Sequence, residues 1–159
     1  MQYSRLVNLL EHKKARLDYE ILKEFEAGLE LLGHEVKSLR ARHGKLEGAH
    51  IVVRPSGRSG HFEAYVVGMQ IPPYQAANTP ESYDPVRTRR LLLTEKELIE
   101  LADFEGQKGL TIVPLSVYNK GSKLKVRLAA ARGRKKYDKR EVLKERDTKR
   151  DIQRTLKNQ

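Results

Sequence analysis

The sequence predicts a mainly β fold with short α segments: a small antiparallel, OB-like β-barrel with two or three flanking helices and a basic C-terminal tail. Three observations carry this expectation. Roughly six short or medium runs alternate apolar and polar residues with the two-residue period of half-buried strands, and turn-rich segments separate them. The longest such run contains a glycine where a small closed sheet needs a sharp bend. From Arg132 on apolar residues become sparse and charge dominates, so residues 1–131 are expected to form the barrel with an N-terminal arm and 132–159 the tail.

Residues Met1 to Leu17 read as a short helical or irregular arm, with Leu6, Val7, Leu9 and Leu10 ahead of His12-Lys13-Lys14. From Tyr19, the residues Tyr19, Ile21, Phe25, Ala27, Leu29 and Leu31 share one parity, interrupted by Lys23, while Glu20, Glu24, Glu26 and Glu30 occupy the other. A helix competes for the segment, because Leu22, Phe25, Leu29 and Leu32 also fall on one helical face. Gly28 favours the strand. Between Gly33 and Gly44, Val36 and Leu39 lie three apart with Lys37, Arg40 and Arg42 around them, predicting a short helix with a basic flank.

Ile51-Val52-Val53 and Phe62 to Val67 follow as two strands joined by a basic, turn-rich tip from Pro55 to Gly60. Residues 72–87 change to prolines and polar residues with Tyr74 and Tyr83, a long loop of the kind that is functional or mobile. Thr94 and Glu97 have the capping-box spacing, so a helix starts there, buries Leu98, Leu101 and Ala102, and ends at Gly106 and Gly109. Leu110 to Tyr118 and Leu124, Val126 and Leu128 are two further strands, the second with a cationic face of Lys123, Lys125 and Arg127. Asn119-Lys120-Gly121-Ser122 supplies their turn.

The tail has too few apolar residues for a packed face and is expected to be disordered alone. It is nevertheless suited to become a helix on a polyanion, with Asp138 and Glu141 spaced as a capping box and Glu145/Lys149 and Asp147/Arg150 one turn apart.

Composition narrows the function. The 159 residues carry a formal charge of +11 at a pI near 9.9, and residues 132–159 alone hold 12 Lys and Arg against 5 Asp and Glu. A polyanion is the natural partner. The tail lacks the aromatic and leucine-rich face of a membrane-surface helix, so nucleic acid is favoured over lipid. The absence of cysteine excludes a disulfide framework and a cysteine nucleophile, and suits a reducing cytoplasm. No segment reads as a secretory signal or a membrane span. The 5 histidines never fall at helical metal-ligand spacing, and no nucleophile elbow or Walker loop occurs, so neither metal, cofactor nor catalysis is expected.

Several residue groups remain as candidates for contact. Glu24, Glu26 and Glu30 suit either a solvated strand face or, less economically, an acid–base pair of a hydrolase. Glu26, beside Gly28 and close to a basic helix, is the one fitted to accept hydrogen bonds from a base edge or a 2′-hydroxyl. Arg87, Arg89 and Arg90 make either a solvated edge or a phosphate clamp, and Leu92 beside them either enters the core or stacks on an unpaired base. His12, Lys13, Lys14, Lys37 and Arg40 join them as cations of the same surface. In the block Gly133, Arg134, Lys135, Lys136, Tyr137, Asp138, Lys139, Arg140, a lone aromatic stands among cations, suited to stacking on a base.

The ordered motifs Lys13-Lys14-Ala15, Tyr19, Phe25-Glu26-Ala27-Gly28-Leu29, Gly33 and Glu35-Val36-Lys37-Ser38-Leu39-Arg40 resemble the bacterial SsrA-binding protein family, also called small protein B. Asp84-Pro85, Arg87 to Leu93, Lys108-Gly109-Leu110-Thr111 and Gly133 to Arg140 extend the resemblance from about His12 to Arg150. It implies an OB-like fold and a non-catalytic, cytoplasmic, monomeric adaptor of trans-translation. Such an adaptor binds the tRNA-like domain of transfer-messenger RNA and delivers it, with elongation factor Tu, to stalled ribosomes. It implies RNA contacts for Glu26, Arg87, Arg89, Arg90 and Leu92, and entry of the Gly133–Arg140 block into the decoding region beside small-subunit rRNA. A general OB-type single-strand binder or ribosomal structural protein is the alternative reading of the same composition.

Overall fold

The computed structural model describes residues 6–158. Seven strands, β1 (Asn8–Glu11), β2 (Tyr19–Leu29), β3 (His50–Pro55), β4 (Phe62–Val67), β5 (Arg89–Leu92), β6 (Leu110–Lys120) and β7 (Lys123–Gly133), form one antiparallel sheet. Four helices accompany them: α1 (Ala15–Asp18), α2 (Gly33–Arg40), α3 (Glu95–Glu105) and α4 (Lys136–Lys157). The strand order is β1-β6-β7-β2-β5-β4-β3. Among the described residues no pairing joins the outer strands β1 and β3, so the hydrogen-bonded ladder is open where the sequence pattern suggests a closed barrel. β1 is only four residues long and pairs with β6, while β3 lies close to β6 without pairing with it.

The expected N-terminal arm is in part a strand: Leu9 and Leu10 are buried, and β1 completes the edge beside β6. The segment from Tyr19 is a strand and not a helix, since its backbone pairs with β7 along its length. Its face is not continuous. The register slips between Ile21 and Lys23, leaving Leu22 as an extra residue, and one extra residue exchanges the two faces of a strand. Tyr19 and Ile21 therefore pack with Ala15, Val113, Leu115, Ala129 and Ala131 on one side of the sheet, whereas Phe25 and Ala27 join the main core on the other. A matching slip in β6 between Pro114 and Ser116 keeps the two strands in step with β7.

The main core is closed by Leu39 of α2 and Leu101 of α3, both fully buried. Helix α3 begins as its sequence requires, with the Glu97 N–H donating to Thr94 Oγ1 at 3.3 Å. Gly121 takes φ +63° and, with Ser122, makes the two-residue turn between β6 and β7. Gly28 pairs with β7 and β5 at once, and a Cβ there would lie 3.2 Å from Leu92 Cβ. Its lack of a side chain lets β5 cross close to β2, the physical role of the glycine in this bend.

Strand β7 runs through to Gly133, two residues past the expected end of the body. Helix α4 then extends for 22 residues without burying one of them. Its start is offset by one turn from the expected cap: Asp138 is not the first residue of a box with Glu141 but accepts from the Lys135 N–H at 3.4 Å.

Candidate nucleic-acid interface

The slip at Leu22 determines which side chains of β2 face outward. After it, Glu24 and Glu26 share the outer face with Arg127, Lys125 and Lys123 of β7 and with Leu92 and Arg90 of β5, because each row of the register alternates together. One row runs Glu26–Arg127–Ser116, and the next runs Leu92–Gly28–Lys125–Tyr118. Since Gly28 contributes no side chain, Leu92 leans over it and stays 53% exposed. Of the two places the sequence leaves open for Leu92, it is not in the core, which its neighbour Leu91 fills instead.

A groove of about 340 Å³ runs beside this row, walled by Gly28, Leu29, Leu31, Val36 and Leu92 and rimmed by Arg40, Lys123 and Lys125. Arg40 reaches it because its Nη2 donates to the Ser122 carbonyl at 3.1 Å, tying α2 to the turn between β6 and β7. An apolar floor with a cationic rim suits an unstacked base and its phosphates. Lys37 is exposed on the same helix. At the other end of the face, His12 and Lys13 line a smaller recess with Arg16, Ser116 and Arg127, and the His12 N–H is fixed to the Leu115 carbonyl at 2.8 Å. Lys14 is exposed beside them.

Glu26 lies between these two features. It accepts from the Tyr118 hydroxyl and, at 2.9 Å, from Lys120 Nζ. Those two donors, Tyr118 first, hold its carboxyl below the usual range. Tyr118 responds oppositely: burial, and then the Glu26 carboxylate, push its phenol up to about 12. Glu24 completes the chain of charges, meeting Arg16 Nη2 at 2.8 Å and Arg127 Nε at 3.9 Å. Lys125, Arg127, Tyr118 and Lys120 were not singled out by the sequence reading as part of this surface. The alternation of Lys125 and Arg127 marked a cationic strand face, but nothing in the linear pattern placed that face beside Glu26.

The three arginines expected to act together are separated. Arg89 points inward and is 0% exposed. All five of its N–H groups are occupied: Nε on Glu35 at 2.6 Å, Nη1 on the carbonyls of Met69 at 2.7 Å and Arg87 at 3.1 Å, and Nη2 on the Tyr83 hydroxyl at 3.1 Å and the Pro85 carbonyl at 3.0 Å. It has no donor left for a phosphate, and its place in the clamp is corrected to a structural one. The alternation of β5 explains this, for Arg89 and Leu91 share the inner face while Arg90 and Leu92 share the outer. Arg87 is partly exposed but also bound to Glu35, with Nε at 3.1 Å. Arg90 alone of the three is largely free, 3.6 Å from Glu63.

Glu35, buried in the first turn of α2, is the centre of this network and was not anticipated as such. Burial pushes its carboxyl up, but hydrogen bonds from Arg87, the Leu32 N–H and Arg89 outweigh burial and bring it down to about 2. The Tyr83 hydroxyl, with one proton to donate, lies 3.0 Å from Glu35 Oε2 and 2.8 Å from the Ile71 carbonyl, so the loop 72–87 is tethered beside α2. His34 packs edge-on against Tyr83 with centroids 4.5 Å apart.

The tail residues leave the body at the opposite end of β2. Nine residues of strand separate Tyr19 from Gly28, about 30 Å, and Tyr19 pairs with Gly133 where α4 begins. The Arg134 N–H donates to the Asp18 carbonyl at 2.8 Å, and Lys139 Nζ meets the Asp18 carboxylate at 3.1 Å. Lys135, Lys136, Asp138 and Arg140 are exposed, as is Tyr137 at 71%. Among the described residues no cluster of side chains has the composition of a metal site, and no helix is long and apolar enough to cross a membrane.

The profile of the family described as "SmpB protein" matches residues 9–158. The chain belongs to the SmpB protein family. Curated SmpB relatives named SsrA-binding protein include that of Gloeobacter violaceus, 45% identical over 149 residues that cover 94% of this chain and 93% of the relative. Those of Chlorobaculum tepidum and Clostridium kluyveri are 43% and 44% identical, over 95% and 94% of this chain and 92% and 90% of their own lengths. A solved structure described as "tmRNA-SmpB: a journey to the center of the bacterial ribosome" is 41% identical, with a TM-score of 0.64 over 84% of this chain and 93% of that one. The similarity spans both the outer sheet face and most of the tail that distinguish this SmpB chain.

Proposed function

We infer that this protein is an RNA-binding adaptor of trans-translation, which binds the tRNA-like domain of transfer-messenger RNA and delivers it to stalled ribosomes. The observation that carries this reading is the pairing of two unlike surfaces on one chain whose family relatives are SsrA-binding proteins. One is an outer sheet face with an acceptor carboxylate at Glu26, an exposed Leu92 and a cationic rim. The other is a basic helix that buries none of its residues and starts about 23 Å from Glu26 along β2.

A carboxylate amid cations suits recognition of base edges or 2′-hydroxyls with phosphates alongside. His12, Lys13, Lys14, Lys37, Arg40 and Arg90 are the further contacts of this surface, and Arg87 joins through its exposed edge. Helix α4 enters the empty mRNA channel, guided by charge toward small-subunit rRNA, with Tyr137 stacking near its root. Sterics make the choice, since a channel filled with message has no room for it. The body and the tail act as separate units, the tail gaining its helix on the ribosome, because α4 buries nothing of its own. The curled sheet supports an OB-like reading of the body. The protein acts as a cytoplasmic monomer, without catalysis, alongside elongation factor Tu.

The test is a competition at fixed salt between the tRNA-like RNA and an unstructured strand of equal length. Preference for the folded RNA of at least tenfold is expected. Equal affinity favours a general single-strand binder and overturns the adaptor reading.

A further inference from the structure

Tyr118 is 1% exposed, yet it belongs to neither of the two apolar clusters and lies on the outer face of the sheet, in the row beside Glu26. Its ring is covered by the Arg127 guanidinium, 5.3 Å from the centroid. Its hydroxyl donates to Glu26 Oε2, spanning from β6 across β7 to β2. A phenol needs only its own partner, and a leucine would fill an apolar site without one. Here the partner is a side chain attributed to RNA contact.

We propose that Tyr118 is a positioning residue for RNA recognition, holding the Glu26 carboxylate in the orientation that presents its free acceptor sites outward. The proposal rests on the reading that Glu26 touches RNA. An ionised carboxylate has about four acceptor positions on its two oxygens. Tyr118 occupies one on Oε2 and Lys120 one on Oε1, so each oxygen retains one, and the side chain is 34% exposed. A free glutamate on a strand samples several rotamers, and ordering it at the moment of binding weakens affinity. The two donors are not equivalent. Lys120 has a long, 56% exposed side chain, whereas Tyr118 is locked by burial and by the guanidinium above it. Tyr118 is the rigid member of the clamp.

The experiment is a double-mutant cycle with the tRNA-like RNA as the probe, using the full chain with Tyr118→Phe, Glu26→Ala and both changes. Phenylalanine keeps the ring and its packing, and circular dichroism with thermal melting checks that the fold is retained. Tyr118→Phe is expected to melt within a few degrees of the unaltered protein and to bind roughly three- to tenfold more weakly, the scale of one lost hydrogen bond. Added to Glu26→Ala, it is expected to cost nothing more. Undiminished binding by Tyr118→Phe while Glu26→Ala is weak overturns the proposal alone, as do two losses that simply multiply. Undiminished binding by Glu26→Ala overturns the reading of Glu26 and the proposal together.

Discussion

Arg89 places its Nε 2.6 Å from a carboxylate oxygen of Glu35, and neither side chain reaches solvent. The pair joins β5 to α2, and so connects the strand that carries Leu92 to the helix that carries Arg40. Opposite charges buried together with every donor satisfied are tolerated, whereas removing one partner strands the other.

Breaking this pair is therefore expected to unfold more than it unbinds. Arg89→Met should lower stability by about 3–5 kcal/mol, as for other broken buried pairs, read as a fall in the urea midpoint. An unchanged midpoint would mean that the network is dispensable.

The same carboxyl sets an acid limit on stability. Its pKa falls from 4.5 in the unfolded chain to about 2 in the fold, so its contribution is fully present above 4.5 and is lost as pH falls from there toward 2. The shift corresponds to roughly 3 kcal/mol. Urea titrations at pH 6 and pH 3 should show about 2 kcal/mol of this loss, and Glu35→Gln should show a distinctly smaller one.

Gly28 and Leu92 form a second coupled pair. Gly28→Ala would bring a Cβ within 3.2 Å of Leu92 Cβ, and a cost of about 1 kcal/mol, in the range of overpacking, is expected. Combining it with Leu92→Gly, which removes the contacting Cβ, should relieve the overpacking without recovering RNA affinity. Thermal melts and binding isotherms on the same samples separate the two effects.

Among the cations, exposure decides which ones neutralise phosphate. Arg40→Ala should reduce the slope of log affinity against log salt by about 0.7–0.9, the signature of one lost phosphate contact. A titration from low to moderate salt measures it, and an unaltered slope would remove Arg40 from the interface.

Reversing the charge of Arg134, Lys135 and Lys136 should leave affinity for the isolated RNA within about threefold, because the root of the tail lies about 23 Å from Glu26 along the strands, beyond the Debye length. Peptide tagging on stalled ribosomes should be abolished. Parallel loss of both activities would contradict the division between body and tail.

The strands were legible where alternation and turn chemistry agree, as in Lys123 to Leu128 and the Gly121 turn, and so was the start of α3 at Thr94. The extra residue at Leu22 was not, because alternation counted along β2 alone contains no record of the register of β7. The inward turn of Arg89 is hidden from the sequence for a related reason. Three arginines in four residues look like one patch, but a strand sends neighbours to opposite faces, and only the partner strands decide which face is inside.

By itself the amino-acid order determined the β-rich body, the basic extension, the family resemblance and the cationic character of the contact surface, since these depend on local periodicity, turn residues and charge. Tertiary structure alone decided that Glu26 meets Tyr118, that Glu35 gathers Arg87 and Arg89, and that the sheet stays open. Those outcomes depend on register and on contacts between residues 52, 54 and 92 positions apart, where pairing across strands, not local preference, sets the energy.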